Sequence, residues 1–214
     1  EPMALTFYTN PMSRAQIARW ALHEVGADYQ ERILGFGAEM KSADYLAVNP
    51  MGKVPAIVHD DTIVTEAAAI CLYLTEAFPE AGLAPQTRTE KADCYRWMFF
   101  AAGPVEQAIT SHAMKWDEGL DAKKSATLGF GTYDAVVHTL SAFLEGRDYV
   151  CGGRFTAADL YVGAQVDWGL QFGTMPSTPA FETYAARLRE RSAYKAARKI
   201  DADVIAAMQA ETST

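Results

Sequence analysis

Three short stretches in the first 70 residues combine donors, charges and backbone breaks that could bind a small anion or an extended peptide. In Tyr8-Thr9-Asn10-Pro11-Met12-Ser13-Arg14-Ala15-Gln16, Ser13 followed three residues on by Gln16 reads as a capping box opening a helix. A capping hydroxyl accepts from a first-turn amide and keeps its own hydrogen to donate. At the positive end of a helix such a donor stabilises a thiolate. Asn10 and Tyr8, on the preceding strand-to-helix turn, could reach the same spot. The plainer alternative for Ser13 is a cap and nothing more. In Val54-Pro55, the proline opens a strand. A trans bond would be ordinary, whereas a cis bond would turn the Val54 N–H and C=O outward to pair with an extended peptide. Thr65-Glu66-Ala67 opens another helix. It reads either as a Thr cap with an acidic first turn, or as an anion site in which helix amides hold a carboxylate and Glu66 pairs with an adjacent ammonium. Lys41 and Lys53 are solvated lysines or point charges for a second carboxylate.

Alternating periods predict the elements that must position these residues. Ala4–Tyr8 is a β-type run stopped by Thr9-Asn10-Pro11. A helix follows to Gly26, a suitable C-cap. Tyr29–Leu34 is a second strand, and Ala38–Val48 a helix ending before Asn49-Pro50. Val54–Val58 and Thr62–Thr65 form a hairpin around Asp60-Asp61. Ala67, Ile70, Cys71, Leu74, Ala77 and Phe78 give the next helix one apolar stripe. The order is βαβαββα. Pro79–Pro85 reads as a linker, and beyond it residues 89–115, 123–145, 156–172, 179–190 and 193–209 read as helices. Thr156 and Asp159 make a second capping box, with Phe155 and Leu160 at staple positions. The expected organisation is an α/β domain over 1–79, a linker over 80–88 and an all-helical domain over 89–214.

With 214 residues, the chain is long enough to bury roughly 70% of its unfolded surface without staples. Its formal net charge of −8 argues against binding by phosphate neutralisation or adsorption to anionic lipid, so neither nucleic acid nor membrane is an expected partner. Residues 1–85 hold 5 Lys or Arg against 11 Asp or Glu, so most of that charge lies in the first domain. Cys71, Cys94 and Cys151 are far apart in sequence and form no C-x-x-C pair, which excludes a local dithiol motif or zinc knuckle and suits a reducing compartment. The four histidines lack metal-ligand spacing, and no metal is expected. Glu1-Pro2-Met3 lacks the basic region of a secretory leader. No apolar run approaches the roughly 20 residues of a membrane span. Trp97, Phe99, Phe100, Trp116, Trp168 and Phe172 are expected in the helical core. The basic run Arg187, Arg189, Arg191, Lys195, Arg198 and Lys199 is expected to be a solvated face.

F-Y-T-N-P-M-S-R-A (7–15), N-P-M-G-K-V-P-A-I (49–57), T-E-A-A-A-I-C-L-Y-L (65–74) and R-F-T-A-A-D-L (154–160) follow one another as in cytosolic glutathione transferases, and the chain resembles that family over nearly its whole length. The likeness is to bacterial, beta-like or theta-like members. It implies a thioredoxin-like N-terminal domain, a helical domain contributing a hydrophobic substrate pocket, a cytoplasmic homodimer joining the N-terminal domain of one chain to the helical domain of the other, and a detoxifying transferase. Glutathione would be the co-substrate. The resemblance implies that Val54 pairs with the cysteinyl unit beside a cis Pro55. Glu66 and the Ala67 backbone would hold the γ-glutamyl end, and Lys41 and Lys53 the glycine carboxylate. Ala67 stands where many relatives have Ser or Thr, and Met40 where some have His. Tyr8 matches the spacing of the tyrosine classes and Asn10 that of the theta-like serine, so Ser13, Asn10 and Tyr8 all stand as candidates for contact with the thiol, Ser13 first. The other activities open to this fold are glutathione-dependent reduction of disulfides or peroxides, and non-enzymatic binding of hydrophobic ligands.

Overall fold

The computed structural model describes residues 4–212, so Glu1-Pro2-Met3, on which the expectation about a leader rests, lie outside the described residues. The chain divides into two compact units: Glu1–Ala84 together with Glu190–Thr214, and Pro85–Arg189.

The first unit has the expected βαβαββα order. It comprises β1 (Leu5–Thr9), α1 (Ala15–Glu24), β2 (Gln30–Ile33), α2 (Ala43–Val48), β3 (Ala56–His59), β4 (Thr62–Thr65) and α3 (Ala67–Ala77). The sheet is mixed, in the order β2-β1-β3-β4. β1 runs parallel to β2 and antiparallel to β3, and β3 is antiparallel to β4. Alternation along β1 buries Leu5, Phe7 and Thr9 and leaves Thr6 and Tyr8 half-buried on the other face. α1 ends as its glycine predicts. Gly26 takes φ +68°, its amide donates to the His23 carbonyl and the Ala27 amide to that of Leu22, which is the Schellman pattern. The single helix expected over 38–48 is divided: a 3₁₀ turn over Glu39–Lys41 precedes α2, and the Ser42 hydroxyl caps α2 by accepting from the Tyr45 amide at 3.3 Å.

Three local expectations are corrected. Ser13 and Gln16 do not form a capping box, because the Ser13 amide already donates to the Asn10 carbonyl at 3.1 Å. The Gln16 amide instead donates to the Pro11 carbonyl and accepts from Arg198. Thr65 does not cap α3. Glu66 stands at that position with φ 71°, a left-handed conformation that a residue with a Cβ adopts at a cost of about 1–3 kcal/mol. The basic run is not simply a solvated face, because tertiary partners take several of its members. Arg191 grips Glu24 through two bonds of 2.6 and 2.8 Å, and Arg189 bonds Asp167 at 2.6 Å.

The last helix, α10 (Ser192–Thr212), packs on α1 within the first unit. Arg19, 1% exposed, lies at this contact. Its Nε donates to Asp201 at 2.8 Å and its Nη1 to the Tyr29 hydroxyl at 3.0 Å, and it pairs with Glu31.

The second unit is helical: α4 (Arg88–Phe100), α5 (Glu106–Ala113), α6 (Ala122–Thr127), α7 (Tyr133–Leu144), α8 (Ala157–Phe172) and α9 (Pro179–Arg189). The expected helix over 89–115 carries a π-helical turn at Ala101–Val105, where Pro104 removes an amide from the ladder. The Thr156–Asp159 capping box forms as expected. Asp159, fully buried, also accepts from the Val150 amide at 2.9 Å and the Tyr184 hydroxyl at 2.7 Å. The aromatic set does not act as one core. Trp97 is buried on the face of α4 shared with Cys94, stacked on Phe143 at 3.7 Å. Phe99, Trp116 and Phe172 are 75%, 64% and 70% exposed, because they fall on the outer face of α4, in the turn after α5 and at the last position of α8. No helix among the described residues is long and apolar enough to cross a membrane.

Candidate functional site

Strand register gathers the predicted residues of the first unit. Tyr8 lies opposite Ala56, and Ala56 opposite Thr65. Because β3 runs against both neighbours, the end of β1, the start of β3 and the end of β4 share one end of the sheet. Tyr8, Val54-Pro55 and Glu66-Ala67 therefore converge there, with the turn carrying Asn10 and Ser13 beside them.

The Val54–Pro55 bond is cis. Neither the N–H nor the C=O of Val54 is bonded within the chain among the described residues. The preceding carbonyl, of Lys53, is held from two sides. The Tyr45 hydroxyl donates to it at 2.5 Å and the Asn49 side-chain amide at 2.8 Å. Burial pushes the Tyr45 hydroxyl up to about 12, so it stays protonated as a donor at neutral pH. Asn49 is itself fixed, since its Oδ1 accepts from the Met51 amide at 3.1 Å and its carbonyl from Gly52 at 2.8 Å. Gly52 has φ +57°, and a Cβ there would stand 2.5 Å from the Met40 carbonyl oxygen. That turn admits only glycine without a shift of backbone. Asn49-Pro50 signalled the turn, but no local signal marked Tyr45 and Asn49 as the residues that hold the Val54 edge.

The charged candidates differ from one another. Glu66 is exposed at the start of α3, whose first-turn amides no side chain caps. Ala67, half-buried, supplies the first helical amide. Lys53 is exposed and its amine has no polar partner among the described residues. Lys41 is engaged: its amine donates to the carbonyls of Met51 and Gly52 at 2.9 and 3.0 Å. It braces the turn next to Lys53 rather than standing free.

The three thiol-contact candidates also separate. Asn10 is fully buried, its amide donating to the Leu34 carbonyl and its oxygen accepting from the Met12 amide, both at 2.9 Å. The Ser13 hydroxyl accepts from the Ala15 amide at 3.1 Å and donates its hydrogen to the Asn10 carbonyl at 2.7 Å. Both residues hold the turn together. Tyr8 packs beside Met40, Tyr45 and Ala56, with its ring 5.3 Å from that of Tyr45. Its hydroxyl has no hydrogen-bond partner among the described residues. Burial raises the Cys71 thiol, which is fully enclosed in α3 and takes no part in this site.

Residues 3–76 match the family model described as glutathione S-transferase, N-terminal domain. The chain is 29% identical to Glutathione S-transferase GST-4.5 of Xanthomonas campestris pv. campestris, an alignment covering 81% of this chain and 83% of that protein. Among solved structures it is similar to a glutathione transferase homolog from Sulfitobacter with bound glutathione, at 29% identity and TM-score 0.72 over 92% of this chain and 97% of that one. It is also similar to a sphingomonad glutathione S-transferase complexed with glutathione, at 27% identity and TM-score 0.73 over 92% and 98%. Residues 3–76 thus match a glutathione S-transferase N-terminal domain, and the four-stranded βαβαββα unit and most of the remaining length are similar to glutathione transferases.

Proposed function

We propose that this protein is a glutathione transferase, and that it binds glutathione at the end of the sheet where Tyr8, Val54 and Glu66 converge. The observation that carries this reading is the Val54 edge: a backbone donor and acceptor left open while the adjacent Lys53 carbonyl is held by Tyr45 and Asn49. An extended cysteinyl unit completes that edge by strand addition. Glu66 and the α3 amides suit an α-ammonium and its carboxylate, and Lys53 suits a carboxylate at the other end of a tripeptide.

The chemistry is formation of the glutathione thiolate and its attack on a hydrophobic electrophile. A free thiol with a pKa near 8.5 is only about 3% ionised at pH 7. Lowering that value by about two units takes about 2.7 kcal/mol. One charge-assisted hydrogen bond of about 1.5–3 kcal/mol, aided by a helix terminus, supplies it. Tyr8 is our choice for the donor. Its hydroxyl is unengaged, whereas Ser13 must first give up its bond to the Asn10 carbonyl, at about 1 kcal/mol. A cytoplasmic homodimer is part of the same reading. Its three unpaired cysteines suit a reducing compartment, and light scattering is expected to give twice the 23.4 kDa chain mass.

The test compares binding of glutathione with binding of its analogue N-methylated at the cysteinyl amide, alongside conjugation of a chlorodinitrobenzene. The methyl group blocks strand pairing without changing charge, so the analogue is expected to bind at least about tenfold more weakly. Equal affinity would remove the Val54 edge from the site. No turnover with any of a panel of electrophiles would remove the transferase assignment.

A further inference from the structure

In the second unit, Cys151 reaches the helix turn that carries the sequence-remote Cys94. Cys94 is fully buried on α4, and Cys151 is half-buried in the loop before α8. The Cys151 thiol donates to the Glu90 carbonyl at 3.4 Å. In a helix that carbonyl is also the acceptor for the amide of residue 94, so the Cys151 sulfur stands against the turn that carries Cys94. The Cys94 thiol lies 3.6 Å from the Met98 sulfur on the same helix. The Thr156 hydroxyl donates to the Cys151 sulfur at 3.3 Å.

We propose that Cys94 and Cys151 are a redox dithiol that closes to an intrachain disulfide on exposure to a low-molecular-weight disulfide. The half-buried position of Cys151 and the hydroxyl donating to its sulfur make it the attacking thiol, and Cys94 the resolving one. The neighbouring Cys151 and burial raise Cys94, whereas Cys94 and the Thr156 hydroxyl lower Cys151, which favours this division. A lower thiol pKa increases the thiolate available for attack.

The reaction balances with oxidised glutathione as oxidant. The Cys151 thiolate attacks one sulfur of the oxidant; a Cys151–glutathione bond forms, and one glutathione thiolate leaves. The Cys94 sulfur then attacks the Cys151 sulfur, its proton passing to the departing glutathione thiolate. The Cys94–Cys151 bond forms, and the second glutathione thiolate leaves. Two protein thiols are oxidised and one disulfide molecule is reduced to two thiols. The Arg154 guanidinium, which bonds Glu90 at 2.7 and 2.8 Å, ties this loop to the same turn of α4 and holds Cys151 near its partner.

The experiment treats the full-length protein with oxidised glutathione in mildly alkaline buffer, then denatures it, alkylates it and measures its mass. The reduced protein has three alkylatable thiols, Cys71, Cys94 and Cys151. The oxidised protein is expected to keep only Cys71, to have lost two hydrogens, to migrate faster on a non-reducing gel and to regain all three thiols with dithiothreitol. Cys151→Ser and Cys94→Ala are expected to abolish the change, and Cys71→Ser to leave it intact. Cys151 is partly exposed, so its variant serves even if the Cys94 variant folds poorly. The proposal is overturned if the treated protein retains three thiols, if it stops at a glutathione adduct on Cys151, or if Cys151→Ser still forms an intrachain disulfide.

Discussion

Replacing Tyr8 by Phe removes one hydroxyl that has no partner among the described residues, and leaves the ring against Tyr45. The fold should therefore lose little, with stability in urea changing by less than about 0.5 kcal/mol. The reaction should lose much more. If this hydroxyl donates to the bound thiolate, its removal forfeits about 1.5–3 kcal/mol of anion stabilisation, which raises the bound thiol by about 1–2 pKa units. Starting from a bound thiol near 6.5, the thiolate fraction at pH 6.5 falls about 5- to 50-fold, and above about pH 9.5 the difference nearly vanishes. The assay is the pH dependence of kcat/KM for conjugation, supported by the ultraviolet absorbance of the bound thiolate. Ser13→Ala is the counterpart. It breaks two structural bonds, to the Ala15 amide and the Asn10 carbonyl, and should cost about 1–2 kcal/mol of stability while leaving the thiol pKa in place. The reasoning fails if the pKa moves in Ser13→Ala and stays fixed in Tyr8→Phe. The ligand would then turn the Ser13 hydroxyl away from Asn10 toward the sulfur.

Four further outcomes are expected. Glu66→Gln keeps the fold and weakens glutathione binding by about tenfold, the value of one charged hydrogen bond of about 1.5 kcal/mol; Lys53→Met weakens it by at most about fivefold, an effect that fades with salt in calorimetric titrations. Asp201→Ala leaves Arg19 buried with a weakened set of partners and should lower unfolding free energy by about 3–5 kcal/mol in urea. Arg154 and the amides of Gln86 and Thr87 hold the Glu90 carboxyl down at about 2, from an ordinary value of 4.5. A depressed folded-state value means that this stabilisation is present above pH 4.5 and is lost as pH falls toward 2. Urea midpoints measured across that window should drop, and Glu90→Gln should flatten the drop.

What the sequence determined by itself was local. The switch between two-residue and helical periods, with breaks at Pro11, Gly26, Asn49-Pro50 and Pro79, set the βαβαββα order, because each signal depends on residues within one or two turns. The Thr156–Asp159 box and the Gly26 cap formed as read for the same reason. Family resemblance brought Val54, Glu66 and Lys53 forward as site residues, and strand register then accounts for how Val54 and Glu66 converge. Tertiary structure decided what depended on distant partners. Ser13 reads as a capping box only until its amide is bonded to Asn10 and Gln16 is drawn to Pro11 and Arg198. The basic run reads as solvated only until Glu24 and Asp167 arrive beside Arg191 and Arg189. Tyr45 and Asn49 gain their role from the loop that returns the Lys53 carbonyl to them, and Cys94 finds Cys151 only because α4 and the loop before α8 pack together. Spacing along a chain records which side chains share a strand face or a helix turn; which groups meet after loops close is decided by packing, and that alone assigns each buried donor its acceptor.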